Sequence, residues 1–124
     1  MSQSNSLIEE IHYFRIPVNE LKDSVRWYTE CLGFTLRREN EELAVVELKA
    51  GALLVLVKAD RESRGHFSRN GESEFMIGFT SPHIHQLRES LIEQGVKVDD
   101  MKEDNGHYFF HFYDPSGNKL QAHW

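Results

Sequence analysis

Residues 113–124 read YDPSGNKLQAHW, a turn set between two strand-like runs. Pro115 presets φ, Gly117 accepts a positive φ, and the side chains of Asp114 and Asn118 can bond nearby backbone. Before the turn, Tyr108 to Tyr113 is dense in aromatic residues, and after it Lys119 to Trp124 alternates polar with apolar. Both are strand patterns, so a β-hairpin is expected. By itself this hairpin specifies no fold. The rest of the chain repeats its surroundings, and that repeat does.

Working back to the start, residues 1–6 read as a frayed tail, and Ile8 to Val18 as a strand ended by Pro17, which suits an edge or a bulge. Asn19 is placed to cap a helix of about Glu20 to Leu32, whose apolar stripe is Leu21, Val25, Tyr28 and Leu32 and whose C′ residue is Gly33. Strand-like runs follow at Phe34 to Arg38, Leu43 to Lys49 and Ala52 to Ala59, the last two joined by Ala50-Gly51. Asp60 to Ser73 is charged, has no sustained period and reads as a surface linker, with His66 and Phe67 as ordinary loop residues. Glu74 to Thr80 is again a strand pattern. Ser81-Pro82 signals a helix with the buried stripe Ile84, Leu87 and Leu91, closed by Gly95. Its first-turn histidines, His83 and His85, are expected on the surface. Val96 to Met101 reads as a strand and Lys102 to His107 as a polar loop leading into the closing hairpin.

The two halves fall into register. The span from cap to glycine is Asn19 to Gly33 in one and Ser81 to Gly95 in the other, each 14 residues and 62 apart, while Gly51 and Gly117 align at an offset of 66. A longer loop around Asp104-Asn105-Gly106 absorbs the difference. Self-similarity of this kind indicates a duplicated supersecondary unit. The expected fold is therefore one α+β domain over residues 1–124. Module one spans about 8–59, the linker 60–73, and module two about 74–124.

Composition narrows the function. At 124 residues the chain suits one domain. Its net charge of −6 disfavours nucleic acid and anionic membranes as partners, and no apolar run approaches the ~18 residues a membrane span needs. Residues 1–6 have neither a basic nor an apolar signal-peptide region. The one cysteine, Cys31, cannot form an internal disulfide and reads as a buried structural thiol. A cytoplasmic location is expected.

A βαβββ unit occurring twice, with SVRWYTECLGF at residues 24–34 and FYDPSGNKL at residues 112–120, resembles the vicinal-oxygen-chelate superfamily. That superfamily includes glyoxalase I, bleomycin- and fosfomycin-resistance proteins and extradiol dioxygenases. The ending KLQAH is similar to fosfomycin-resistance enzymes, which carry Glu where Gln121 stands. The resemblance implies that the eight module strands form a curved mixed sheet around a cup with helices outside. It also implies small-molecule binding and pairing into a homodimer. Metal-dependent members hold their ligands on the first and last strands of each module, positions that fall here on Tyr13, Val55, Phe75 and Gln121.

A phenol, an amide and two hydrocarbons are a poor donor set for a divalent cation. The leading expectation is thus a small-molecule-binding protein without the usual metal site, its cup lined by Tyr13, Arg15, Val55, Phe75, Ile77, Gln121 and His123, with Leu53 and Val57 beside them. Phe14, Ile16, Leu54, Leu56, Met76, Leu120 and Ala122 alternate with these and are expected to face the helices. An inward Arg15 needs a partner, either a ligand anion or a protein acid such as Glu47. Two other readings stay open. One is a metal-dependent lyase, thiol transferase or dioxygenase in which a bulge near Pro17 turns His12 inward to join Gln121 and His123 or His111 around Zn, Ni, Mn or Fe. The other is a metal-free enzyme using His123 or Tyr13 as general acid or base.

Overall fold

The computed structural model describes residues 6–124; the tail expected over residues 1–6 lies, except for Ser6, outside them. The first module comprises β1 (Tyr13–Val18), α1 (Leu21–Glu30), β2 (Thr35–Glu39), β3 (Leu43–Glu47) and β4 (Leu53–Lys58). A hairpin of β5 (His66–Arg69) and β6 (Glu72–Phe75) follows. The second module comprises β7 (Ile77–Thr80), α2 (Ile84–Glu93), β8 (Lys102–Asp104), β9 (His107–Tyr113) and β10 (Lys119–His123). Strand order is β1-β4-β3-β2 in one sheet and β7-β10-β9-β8 in the other, so the duplication holds at the level of topology. In each sheet the module's first strand runs parallel to its last.

Pro17 fits β1 for a definite reason. Leu53 N–H donates to His12 O and Ala59 N–H to Val18 O, so even-numbered residues of β1 bond to β4 and odd-numbered ones point to the free edge. Pro17 therefore sits where its missing N–H removes no ladder bond. Both helices end at glycines with positive φ, Gly33 at 78° and Gly95 at 79°. Phe34 N–H then reaches back to Tyr28 O, closing the helix end as a left-handed C′ residue allows.

The helix-covered faces of both sheets merge into one core. Ile16, Leu56, Tyr28 and Val46 of the first module and Leu91, Phe110, Phe112 and Leu120 of the second are all at most 1% exposed. Ring contacts cross the boundary, Phe34 to Phe79 at 5.9 Å and Trp27 to Phe112 at 6.3 Å. Each fully buried side chain of this size contributes roughly 1.5–3 kcal/mol of transfer free energy, so neither half would be expected to keep its packing alone.

The turn at Asp114 to Asn118 is the polar centre of the molecule. Asp114 Oδ1 accepts from the Ser116 and Asn118 N–H groups, both at 2.9 Å, and Oδ2 accepts from Tyr28 Oη at 2.7 Å. The Asn118 amide donates to Asp114 Oδ2 and to Pro17 O, while its oxygen accepts from Gly65 N–H. Ser116 Oγ accepts from Asn19 N–H. One buried turn thus ties together β1, α1, the segment after β4 and β10. All its inward polar side chains are satisfied, which such burial requires.

Several expected boundaries shift. The 60–73 segment is not all linker, because Asn70 and Gly71 take φ of 53° and 80° and turn β5 back onto β6. Asn105 and Gly106, at 53° and 84°, do the same between β8 and β9. The strand expected at Val96 to Met101 reduces to one bridge, Val98 to Phe112, and the paired strand is instead Lys102–Asp104. Asn19 does not cap α1: the N-cap is Glu20, and Asn19 Oδ1 has no partner among the described residues. The N-cap of α2 is His83 rather than Ser81. Cys31 is half-buried, its thiol pushed up first by desolvation and then by the Glu30 charge.

Candidate functional site

The first sheet's face opposite the helices carries a cavity of about 610 Å³. Its pattern follows from register. Arg15 lies opposite Val55, Val55 opposite Val45, and Val45 opposite Arg38, so one row crosses all four strands on one face. Leu43, Leu53, Tyr13 and His12 complete the floor and rim. Val45 and Val55 are each 8% exposed and Tyr13 54%, so the floor is dry and the rim open.

A β-bulge between Leu36 and Arg38 adds Arg37 to β2. Alternation would send adjacent residues to opposite faces, yet the bulge leaves both Arg37 and Arg38 lining the cavity. Arg37 Nη1 bonds Glu47 at 3.2 Å. Glu47, a sequence-level candidate to pair with Arg15, is therefore taken by Arg37. Neither Arg15 nor Arg38 has a salt bridge among the described residues.

The corresponding face of the second sheet is a run of rings. Phe75 lies 5.4 Å from His111, Phe109 6.2 Å from His111 and 5.9 Å from His107. His107 Nε2 and His123 Nδ1 are 3.1 Å apart, a separation at which neutral imidazoles share one proton. Gln121 lies opposite His111, and a Cβ placed on Gly78 would fall 3.7 Å from Gln121 Oε1. Desolvation, followed by the Lys119 charge, holds the His111 pKa below its ordinary value.

The expected cup residues therefore occupy two surfaces. Tyr13, Arg15, Val55 and Leu53 line the first cavity; Gln121 and His123 lie on the second sheet, and Phe75, at the end of β6, packs against His111 of that face. Ile77 belongs to neither. It pairs with Leu120 and packs on the core, because an irregularity at Met76 separates β6 from β7 and shifts the register by one residue. Met76, expected beneath a helix, is 62% exposed, and Phe14 is 50% exposed at the open end of β1. His111 joins the second face, whereas Tyr108 turns to the core side and meets His85 at 4.9 Å.

At the positions the resemblance assigns to metal ligands, Val55 and Phe75 offer no donor atom. No three His, Cys, Asp or Glu side chains converge among the described residues. His12 lies in the first cavity, with its ring 5.7 Å from Tyr13, whereas Gln121, His123 and His111 sit on the other sheet. Sequence reasoning missed Arg37 and Arg38. Charge in an otherwise strand-like run was the only signal, and it does not reveal a bulge.

The profile of the family described as "Glyoxalase/Bleomycin resistance protein/Dioxygenase superfamily" matches residues 10–122. No curated protein matches the chain. Among solved structures, TnmS3, an antibiotic binding protein from Streptomyces sp. CB03234, is 24% identical with a TM-score of 0.79, over 95% of this chain and 97% of that one. A glyoxalase family protein from Enterococcus faecalis is 23% identical with a TM-score of 0.76, over 96% and 100%. Lactoylglutathione lyase from Agrobacterium tumefaciens is 13% identical with a TM-score of 0.73, over 95% of each chain. At these identities the likeness is one of fold.

Proposed function

This chain belongs to the glyoxalase/bleomycin resistance protein/dioxygenase superfamily, and on that premise we propose that it is a metal-free small-molecule-binding protein of the cytoplasm. The observation carrying the proposal is the lining of the first cavity. Tyr13 and Val55, the positions to which the resemblance assigns metal ligands, instead contribute a phenol and a hydrocarbon to an apolar floor edged with arginine. Apolar walls with a few directed polar groups are the usual makeup of a small-molecule site. A fold that also serves an antibiotic binding protein suits sequestration without turnover, although fold alone specifies no ligand.

A homodimer is part of the proposal. Among the described residues, β1 pairs only with β4 and β7 only with β10, so each sheet ends in an open edge. Exposed apolar side chains, Phe14 and Met76, lie at or beside these edges. Joining β1 of one copy to β7 of another would satisfy both edges. It would also set the first cavity against the aromatic face bearing Phe75, Gln121 and His123, so that all of them line one enclosed site.

Elemental analysis of protein purified without chelator, then incubated with Zn²⁺, Ni²⁺, Mn²⁺ or Fe²⁺ and desalted, tests the proposal. Metal well below stoichiometric is the expected result. Near-stoichiometric metal, lost in both His12→Ala and Gln121→Ala, would overturn the proposal in favour of a lyase- or transferase-type enzyme with a shifted ligand set.

A further inference from the structure

The row Arg15, Val55, Val45, Arg38 crosses the whole first sheet on one face. Its two ends are guanidinium groups and its two middle positions are dry valines. The strands carrying the arginines are three spacings apart, about 14 Å, and each side chain is long enough to lean inward over the valine beside it.

The charge of this row runs against that of the chain. Acids outnumber bases 20 to 14 overall, yet the cavity lining contains three arginines and no acid. Arg37 is neutralised by Glu47. Arg15 and Arg38 keep their fork of donors free of any ion pair among the described residues. Guanidinium forks match the two oxygens of a carboxylate or other oxyanion in bidentate geometry, and low-dielectric walls concentrate the field of such a pair on what lies between them.

We infer that the ligand of this cavity is a flat apolar dianion, with an oxyanion group at each end held by Arg15 and Arg38 and its body lying on Val55 and Val45. This rests on the proposal that the first cavity binds a small molecule. It adds the ligand's class and polarity: an elongated aromatic dicarboxylate or an equivalent oxyanion. The Tyr13 ring, on the same face as Arg15, flanks one end.

Three probes of matched shape test it: naphthalene-2,6-dicarboxylate, 2-naphthoate and the neutral 2-naphthamide, titrated by calorimetry at low and at moderate salt. The dianion should bind tightest and the amide weakest, with about a tenfold step for each charge. Arg15→Gln and Arg38→Gln should each weaken the dianion about tenfold while leaving the amide unchanged. Both positions are exposed, so folding should survive. Arg26→Gln, on the exposed face of α1, repeats the change in net charge away from the cavity and should have no effect. Val45→Trp fills the floor and should abolish binding of all three probes.

If the probes bind equally and Val45→Trp still abolishes them, the inference falls and the binding cavity stands. If no probe binds, or if Val45→Trp changes nothing, the inference and the proposal beneath it both fall. Weakening by Arg26→Gln equal to that by Arg15→Gln would reduce the effect to net charge and also overturn the inference.

Discussion

Replacing Tyr28 by Phe should separate the hydrogen bond at the molecule's polar centre from the packing around it. Tyr28 is 0% exposed, and its hydroxyl donates to Asp114 Oδ2 at 2.7 Å. The ring meets Trp27 at 4.8 Å and Phe34 at 5.7 Å, contacts that Phe retains. Asp114 keeps its bonds from Ser116 N–H, Asn118 N–H and the Asn118 amide. What is lost is one hydrogen bond to a charged acceptor, about 1.5–3 kcal/mol.

Alkaline pH supplies an independent check on the same bond. Burial first, then the charge of Asp114 and the bond to it, raise the Tyr28 pKa well above 10.0. A raised folded-state pKa means that the stabilisation is complete below the unfolded value, near pH 10, and is lost as pH climbs toward the folded one. Over that window the stability difference between wild type and Tyr28→Phe should shrink by about 1.4 kcal/mol per pH unit. Tyr113 and Cys31 also have raised pKa values, but they are present in both proteins and cancel in the difference. Urea unfolding followed by tryptophan fluorescence at pH 7, 9, 10 and 11 gives the quantities directly, with the m-value expected to be unchanged. A cost below about 0.5 kcal/mol at pH 7, or a difference that stays constant from pH 9 to 11, would refute the reasoning.

Two further outcomes follow from the segment packed against β1 and β10. A Cβ on Gly65 would collide with Ile16 Cγ1 and lie 2.9 Å from Ile16 Cδ1, so Gly65→Ala should cost about 1–3 kcal/mol by overpacking, measured as a lowered urea midpoint. His66 Nδ1 accepts from Lys119 N–H at 2.9 Å, and burial followed by the Arg64 and Lys119 charges lowers its pKa from 6.5. A lowered folded-state pKa means stability that is full above 6.5 and lost as pH falls through the folded value. His66→Gln should flatten the thermal stability profile between pH 7 and 5 relative to wild type; an unchanged slope would rule His66 out as its source.

Alternation was enough to read β1 and β4, though not the bulged β2 beside them. Tyr13, Arg15, Leu53 and Val55 share the cavity face and Ile16, Leu54 and Leu56 the core face, because an uninterrupted strand has one side-chain period. The same reasoning failed at Ile77 because Met76 breaks the strand, and a fixed offset between repeats cannot reveal one inserted residue. Two Asn-Gly pairs, Asn70-Gly71 and Asn105-Gly106, carried a strong short-range hairpin signal, but the charged residues around them masked it. The turn at Asp114 was legible locally. Its bonds to Tyr28 and Pro17 were not, since they depend on how the two modules pack.

Those bonds set a schedule for the growing chain. Asn118 and Pro17 are 101 positions apart, and Ser116 and Asn19 are 97 apart. From Lys58, which ends the last strand of the first module, to Asn118 is 60 residues, so at about 5–20 residues per second synthesis leaves the completed first module waiting roughly 3–12 seconds for its buried clasp. Throughout that interval the α1 side of the module lacks Phe112 and Asp114, and the β1 edge lacks Asn118. A mutation that slows docking of the second module would therefore lengthen exposure of an already completed half. Its first visible effect would be aggregation of nascent protein, before any change in the folded state.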